Sequence, residues 1–316
     1  MKEIKEDYGL FNPYDTQKLL KENEVITKKR QKGRKEWYYT SSEITKNVAL
    51  IFSKFIPHTL KKDEEKENKD KYLQLVINEI EYLCKNYRIF QNIHTRYERT
   101  ITNTGFILQS FKAKTSWRLV IGLGASHPQE TSMTLHHIYG IPYIPGSAIK
   151  GVTRHWAVLK FAEKHWNSTK STEKNGKKFE DSIAKVAKEL ENGNDLDMEV
   201  NGIAFKDLIE IFGTQTQQGK LIFFDAYPDG NINFKIDIMN PHYPQYYSEG
   251  HPPTDWQNPV PIKFLTIENT EFKFYLAVRD ANYKDLLEKA KKLLSEALKE
   301  YGIGAKTSLG YGIFEV

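Results

Sequence analysis

The sequence predicts an α+β chain whose main part is a ferredoxin-like (RRM-like) domain with hairpin and helical insertions. From residue 101 onward, apolar runs and helical stripes follow one another as strand, helix, strand, strand, helix, strand, which is the ferredoxin-like order. Before residue 100, strand signals are rare and helical periodicity is clearest over residues 72–87. We therefore expect a mainly helical N-terminal extension over residues 1–100 and the ferredoxin-like domain over residues 101–316.

Composition supports a folded chain with an anionic partner. Of the 316 residues, 39% are hydrophobic, which is enough to bury a substantial core. The net charge of +5 is a mild excess that favours an anionic partner without the density of a nucleic-acid arm. Cys84 is the single cysteine, so an internal disulfide and a thiolate metal cluster are excluded. With a charged start and no apolar run of membrane-spanning length, we expect a cytoplasmic protein with no membrane partner.

A basic run in the N-terminal part is the first candidate for nucleic-acid contact. It extends from Lys28 to Lys35 and is followed by Trp37, Tyr38 and Tyr39. Cations beside aromatic rings suit a nucleic-acid strand, because the cations contact phosphates and the rings stack on bases. The alternative is a solvated, flexible loop, since the run is short.

Apolar runs and turn signals give the elements of the second part in order. We expect strands at 105–108 and 116–123, a polar loop at 124–137, and a helix that begins at Ser147 as its N-cap, after Pro145 and Gly146. Two further helices are expected near 179–190 and at 205–212. Residues 219–227 predict a central strand that pairs with 232–238 as a hairpin, and 262–267 pairs with 272–278 across Asn269 and Thr270. A helix over 283–301 and a closing strand after Gly312 complete the domain.

The helix after Ser147 carries a candidate anion site. Its apolar residues form a core-facing stripe, while Lys150 and Arg154 lie four residues apart and share another face. Two cations near the positive end of a helix and its free N–H groups form a suitable site for an anion. The alternative is a structural role in which distant acidic residues neutralise the two cations.

The glycine-rich segment after the last helix is the second candidate anion site. It contains Gly302, Gly304, Gly310 and Gly312 together with Lys306, Thr307 and Ser308. Glycines let the backbone approach a ligand, and a lysine with two hydroxyls suits phosphate. The alternative is a helix stop followed by a strand bulge. A dinucleotide fingerprint does not fit, because here the helix precedes the glycines, and no nucleotide P-loop ending is present.

A long excursion over residues 239–261 is the third candidate. Its prolines exclude a regular element, and such loops often carry function. Its aromatic residues offer surfaces for RNA or for another subunit, the alternative being a small satellite core. The candidate contact residues are His242, Tyr243, Tyr246, Tyr247 and Trp256.

Several of these motifs together resemble the RAMP superfamily of CRISPR proteins. They are Ile144-Pro145-Gly146-Ser147 with Lys150-Gly151 and Arg154, Gly219-Lys220-Leu221 with Asp225-Ala226, Met239-Asn240-Pro241-His242-Tyr243 with Tyr246-Tyr247, and the glycine-rich segment. Within that superfamily the pattern is most similar to the sixth-subunit family of the Cmr complex, the type III-B RNA-guided effector. The resemblance covers about residues 100–316.

The resemblance implies a non-catalytic backbone subunit that binds guide RNA near its 3′ end, in antiviral defence against foreign RNA. Its partners would be the guide RNA, the base-paired target RNA and other Cmr subunits, with no cofactor and no metal. On the matching motif positions, Ser147, Lys150, Arg154 and the segment from Gly302 to Gly312 would contact RNA. The excursion over 239–261 would be the projecting thumb of such subunits, or would pack beneath it.

The resemblance also raises the question of catalysis. A sibling subunit cleaves RNA with an aspartate in the loop before the helix, whereas residues 124–140 here contain Glu130 as their single acid. The alternative function is a metal-independent RNA endonuclease that uses His127, His136 and His137 as general acid and base. Adjacent histidines on an extended segment are expected on opposite sides, which disfavours this alternative. A third possibility is an assembly subunit whose basic residues face acidic proteins.

Overall fold

The computed structural model describes residues 8–10, 26–31, 34–39, 47–53, 57–59, 65–84, 88–127, 130–169, 178–240, 250, 252 and 261–316. Helices in this part of the chain are α1 Val48–Ser53, α2 Glu65–Cys84, α3 Arg88–Asn103, α4 Gly146–Ser168, α5 Phe179–Asn192, α6 Phe205–Phe212 and α7 Lys284–Glu300. The strands are β1 Tyr8–Leu10, β2 Ile26–Gln31, β3 Arg34–Tyr39, β4 Pro57–Thr59, β5 Ile107–Thr115, β6 Arg118–Leu119, β7 Glu199–Val200, β8 Ile203–Ala204, β9 Leu221–Phe223, β10 Tyr227–Pro228, β11 Asn233–Met239, β12 Ile262–Glu268, β13 Glu271–Val278 and β14 Phe314–Glu315. These elements make the chain an α+β protein, as predicted.

The chain divides into two compact units. Unit 1 comprises residues 1–86, 122–142 and 232–268, and unit 2 comprises residues 87–121, 143–231 and 269–316. The boundary predicted after residue 100 does not coincide with this division. The reason is that α3 packs on β5 and β10, which belong to unit 2.

Unit 2 is built on an antiparallel sheet of five strands. Its order is β10, β13, β5 and β14, and β9 also pairs with β13. The longest pairing joins β13 to β5, from Glu271 opposite Lys114 to Val278 opposite Ile107. The sheet therefore places the last strand, β14, beside the first strand of the unit, β5.

Side chains alternate between the two faces of this sheet. On β13, Lys273 and Tyr275 contact Glu98 and His94 of α3. The neighbouring residue Phe274 contacts Phe314 and is fully buried. Helix α7 packs on β13 and β14, and α4 packs on α7 and β9. The apolar stripe predicted for α7 is confirmed, since its leucines and alanines from Leu286 to Leu298 are buried.

Unit 1 combines helices with a two-stranded pairing. Strand β11 pairs with β12 in antiparallel fashion, from Asn233 opposite Glu268 to Met239 opposite Ile262, and α2 packs on both strands. The buried hydroxyl of Tyr72 on α2 donates to the Phe52 carbonyl oxygen of α1 at 2.6 Å. Asn47 accepts from the Ala49 N–H at 2.9 Å, so its side chain caps the start of α1.

Three of the predicted strand arrangements are wrong. The strand over residues 219–227 is not central, because β9 and β10 pair with β13 alone. It does not form a hairpin with 232–238, which pairs with β12 instead, and 262–267 does not pair with 272–278. The short turns after residues 227 and 267 suggested that each strand pairs with the next one in sequence. The observed ladders of β11 with β12 and of β13 with β5 instead join strands that are far apart in sequence. The strand expected over 116–123 is reduced to β6, because the chain turns from Ile121.

The N-terminal part contains strands that the sequence interpretation missed. Strands β2 and β3 pair as a hairpin, with Lys28 opposite Trp37 and Gln31 opposite Arg34, and β1 pairs with β4. The basic run predicted to be either an RNA contact or a flexible loop thus lies mainly on this hairpin. A two-residue connection containing Gly33 is the sequence signal for such a hairpin.

Candidate nucleic-acid interface

The start of α4 is set by a carboxylate from a distant part of the chain. Pro145 is the N-cap residue, with extended backbone angles, and the Gly146 N–H donates to Asp225 Oδ1 at 2.7 Å. The prediction that Ser147 caps the helix is therefore wrong, since Ser147 is the second residue inside it. Asp225 supplies the acceptor that the serine hydroxyl was expected to provide, and its negative charge suits the helix N-terminus.

One turn into α4, Lys150 is a half-buried cation. Burial, and secondly the charge of Arg154, lower the pKa of its amino group below the ordinary value of 10.5. No carboxylate pairs with Lys150 among the residues that the structure describes. A partly desolvated cation beside a second cation is unfavourable on its own, and a bound anion would remove the penalty.

The neighbouring cation, Arg154, does have a protein partner. Its Nη2 atom lies 3.0 Å from Glu191 Oε1 on α5. Both side chains are partly exposed, at 32% and 49%, so this ion pair contributes little to stability. The alternative in which acidic residues neutralise the two cations thus applies to Arg154, whereas no acid in the described part of the chain neutralises Lys150.

The base of the glycine-rich segment is hydrogen-bonded to the chain itself. The Ile303 N–H donates to the Gly312 carbonyl oxygen at 2.9 Å, within the segment. Two bonds reach the preceding strand region: the Ala305 N–H donates to the Val120 carbonyl oxygen at 2.9 Å, and the Gly312 N–H donates to the Arg118 carbonyl oxygen at 2.7 Å. A Cβ atom at Gly312 would collide with the Ile303 carbonyl group, and one at Gly304 with that of Val120. Gly302 and Gly312 are buried, so they shape the loop from inside.

The outer part of the segment presents polar groups to solvent. Lys306 has a positive φ of 63°, and residues 307–309 form a single 3-10 turn closed by the Gly310 N–H on the Thr307 carbonyl oxygen at 2.9 Å. Within the described residues, the backbone N–H groups of Thr307 and Ser308 have no acceptor. Lys306, Thr307, Ser308 and the exposed Gly304 and Gly310 are therefore the predicted residues that a ligand would reach.

The two predicted anion sites belong to neighbouring parts of one helix pair in unit 2. His155, next to Arg154 on α4, stacks at a tilt on Tyr301 at the end of α7, with ring centroids 4.8 Å apart. Trp156 donates its indole N–H to Glu296 of α7 at 3.2 Å. The structure thus fixes the cation-bearing helix to the helix from which the glycine-rich segment emerges.

The loop from residue 124 to residue 140 uses its titratable side chains for internal contacts. The His127 Nε2 atom donates to the Phe52 carbonyl oxygen at 2.8 Å, and burial lowers the pKa of this imidazole. The Glu130 carboxylate lies 3.3 Å from the Lys69 amino group. The His136 Nδ1 atom accepts the backbone N–H groups of Ile138 and Tyr139 at 3.2 and 3.3 Å.

The expectation that His136 and His137 point to opposite sides is wrong. Their rings stack with centroids 4.8 Å apart and an angle of 19° between planes. The chain turns at residues 137–139 and is not extended there, so the two rings lie on the same side. The His136 ring also stacks on the Tyr139 ring, with centroids 4.5 Å apart.

The remaining predicted contact residues cannot be placed. His242, Tyr243, Tyr246, Tyr247 and Trp256 lie outside the described residues. In the described ranges, no three His, Cys, Asp or Glu side chains are grouped so as to hold a metal ion. No helix in the same ranges has the length and apolar character that crossing a membrane requires.

Three residues near the site were missed by sequence reasoning. They are Asp225, which caps α4, Glu191, which binds Arg154, and Trp117, which lies beside the glycine-rich segment with 45% of its surface exposed. Asp225 and Glu191 act across long sequence separations that periodicity does not reveal. Trp117 was assigned to a predicted strand, whereas it occupies a bend between β5 and β6.

Comparison with known proteins identifies the family. The family model of the RAMP superfamily matches residues 110–315. The CRISPR system Cmr subunit Cmr6 of Pyrococcus furiosus is 39% identical over 254 residues, which cover 72% of this chain and 73% of that protein. The CRISPR system CMR subunit Cmr6 of Saccharolobus solfataricus is 24% identical over 218 residues, or 67% of this chain and 58% of that protein.

One of two similar solved structures shows the same kind of fold. One chain of the cryo-EM structure of the Type III-B Cmr-beta complex bound to cognate target RNA aligns with a TM-score of 0.52 at 21% identity, covering 81% of this chain and 74% of that one. The crystal structure of Cmr6 from Pyrococcus furiosus aligns at 36% identity over 66% of this chain and 97% of that one, with a TM-score of 0.45. The family model and the 39% identity show that the chain belongs to the RAMP superfamily and, within it, to the Cmr6 family of CRISPR subunits.

Proposed function

We propose that this chain is a non-catalytic backbone subunit of a type III-B CRISPR effector complex and that it binds guide RNA near the guide's 3′ end. In this role it acts in the cytoplasm, in antiviral defence against foreign RNA. Its partners are the guide RNA, the target RNA paired with it, and other Cmr subunits. Membership of the Cmr6 family supports the proposal that the chain joins other Cmr subunits. The similar chain in a Cmr-beta structure with bound target RNA supports the proposal that RNA is a partner.

The observation that carries RNA binding is the uncompensated charge of Lys150. Burial lowers the pKa of this amino group, and no carboxylate among the described residues pairs with it, so an anion would stabilise its charged form. An RNA phosphate supplies the missing negative charge without specifying a base, as a guide of variable sequence requires. Arg154, one turn away, adds a second cation that reaches the same anion when it leaves Glu191.

The sheet of unit 2 supports a ferredoxin-like assignment. With β5 as the first strand, β9 and β10 as the second, β13 as the third and β14 as the fourth, the spatial order is fourth, first, third, second. These strands pair in antiparallel fashion. Helices α4 and α7 occupy the two helical positions of that fold. Domains of this kind commonly bind single-stranded RNA.

The contacts of the 124–140 loop support a non-catalytic role over the endonuclease alternative. A general base must be directed toward the attacking hydroxyl. In this chain the Nε2 atom of His127 and the Nδ1 atom of His136 are engaged by backbone groups, and Glu130 is paired with Lys69.

Fluorescence anisotropy with labelled single-stranded RNA tests the RNA-binding function. We expect Lys150→Ala to weaken binding and to flatten the dependence of log affinity on log salt by roughly 0.7 for each phosphate contact that is lost. Lys206→Ala, which removes an exposed cation from α6, is the matched control and should change neither quantity. Equal behaviour of the two folded variants would remove Lys150 from the site.

A further inference from the structure

Trp117 presents an exposed indole beside the glycine-rich segment. It lies in the bend between β5 and β6, and 45% of its surface is accessible. Tyr311 packs against it, with ring centroids 4.8 Å apart and planes at 58°, while Tyr311 itself is 6% exposed. The tyrosine therefore supports the indole from the protein side and leaves part of it open to solvent.

The backbone around Trp117 is fixed on both sides. The Ser116 N–H donates to the Ile313 carbonyl oxygen at 2.9 Å, and the Arg118 carbonyl oxygen accepts from the Gly312 N–H at 2.7 Å. These bonds attach the bend to the end of the glycine-rich segment. A ring on a fixed backbone loses little conformational entropy when a ligand stacks on it, which favours binding.

A cation and a glycine lie next to the indole. The Arg118 guanidinium lies 5.3 Å from the centre of the Trp117 ring. A Cβ atom at Gly310 would lie 3.9 Å from Trp117 Cε3, so glycine at this position keeps a side chain from covering the ring. The neighbouring Leu309 is 64% exposed. A cation and a partly exposed indole thus occur in one short stretch of surface, beside the N–H groups of Thr307 and Ser308, for which the described residues offer no acceptor.

We propose that Trp117 is a stacking platform for one unpaired RNA base, next to the phosphate contacts of the glycine-rich segment. This inference rests on the proposed RNA-binding function. Sites for single-stranded nucleic acid combine cations along the backbone path with aromatic rings that hold successive bases, and stacking of this kind accepts any base. Exposed Trp, Arg and Leu also occur in protein interfaces. The Arg118 guanidinium beside the ring favours RNA, since a cation suits a phosphate group.

The test separates base contacts from phosphate contacts. Affinities of the full chain are measured for a short single-stranded oligoadenylate and for an abasic RNA of the same length, which keeps the ribose and the phosphates. Trp117→Ala should weaken binding to oligoadenylate by between about 5-fold and about 100-fold and leave binding to abasic RNA unchanged. Trp117→Leu keeps apolar volume against Tyr311 and should show the same loss if the alanine variant does not fold.

Controls distinguish this inference from the function on which it rests. Tyr82→Leu removes another exposed ring, 69% accessible on α2, and should bind both RNAs like the wild type. Lys150→Ala should weaken binding to both RNAs. If Trp117→Leu binds oligoadenylate as the wild type does, the stacking role is overturned while RNA binding stands. If that variant instead loses other Cmr subunits on copurification, with unchanged RNA affinity, the surface is a subunit contact. Wild-type protein that binds neither RNA would overturn both proposals.

Discussion

The Nδ1 atom of His94 lies 2.6 Å from the hydroxyl oxygen of Tyr275, in the interior of unit 2. The other ring nitrogen, Nε2, is 2.9 Å from the Pro228 carbonyl oxygen. A carbonyl oxygen can only accept, so Nε2 carries the proton and Nδ1 accepts from the tyrosine hydroxyl. His94 is 6% exposed, and burial lowers the pKa of its imidazole. The neutral ring therefore attaches α3 to the sheet.

We predict that His94 makes unit 2 less stable in mild acid. Because the folded pKa lies below the unfolded value of about 6.5, the unfolded chain binds the proton first as pH falls, and stability is lost from that pH down to the folded pKa. The loss is about 1.4 kcal/mol for each unit by which folding lowers the pKa. Chemical denaturation at pH 7.5 and pH 5 measures it.

The variant His94→Gln keeps a donor and an acceptor but cannot titrate. Its free energy of unfolding should fall less than that of the wild type between the two pH values. His155→Gln, at an exposed position on α4, is the matched control and should behave like the wild type. An unchanged pH dependence in His94→Gln would show that other groups cause the acid sensitivity.

A second prediction concerns Gly312. Its φ is 70°, and a Cβ atom there would collide with the Ile303 carbonyl group. We expect Gly312→Ala to lower the free energy of unfolding by about 2 to 4 kcal/mol, from backbone strain and overpacking together. Gly310→Ala is the control, because Gly310 also has a positive φ of 88°, but a Cβ atom there would make only an ordinary contact, 3.9 Å from Trp117 Cε3. Equal destabilisation of both variants would mean that the collision is relieved by a small backbone shift.

A third prediction uses the ion pair of Arg154. Because Glu191 competes with RNA for the guanidinium, Glu191→Gln should tighten RNA binding by up to about fivefold at low salt. The gain should disappear in the background of Arg154→Ala. Glu189→Gln removes the same charge from the same helix and reports the long-range effect alone. If Glu189→Gln tightens binding as much as Glu191→Gln, the ion pair plays no specific part.

The fourth prediction is that the purified protein leaves RNA intact with or without divalent metal. Backbone hydrogen bonds hold one ring nitrogen each of His127 and His136, and Lys69 pairs with Glu130, so these three side chains are directed to other groups of the chain. Incubation of labelled RNA followed by gel electrophoresis measures cleavage. Cleavage that persists through several columns and is abolished in His127→Ala or His136→Ala would favour the endonuclease alternative.

Sequence periodicity predicted the local elements of this chain better than their pairing. The helix predicted over 283–301 agrees with α7, because its leucines and alanines form a continuous stripe with helical spacing. The strand partners predicted for β9, β11 and β12 were wrong. A turn such as Pro228-Asp229-Gly230 shows where a strand ends, but it does not show which strand pairs with it.

The candidate site shows the same limit. The spacing of Lys150 and Arg154 placed two cations on one helix face, since four residues make about one turn. It did not reveal that Glu191 binds one of them and that Asp225 caps the helix, because both acids come from distant segments. Tertiary contacts of this kind have no periodic signal in the sequence.

The pairing of β14 with β5 has a consequence for the synthesis of the chain. Thr115 lies opposite Phe314, so the edge of β5 remains without its partner until almost 200 further residues have been made, since 314 − 115 = 199. Contacts between such distant residues form slowly, and an open strand edge is prone to pair with other chains. Unit 2 therefore completes its sheet only after residue 315 has been made, and β5 keeps an open edge until then.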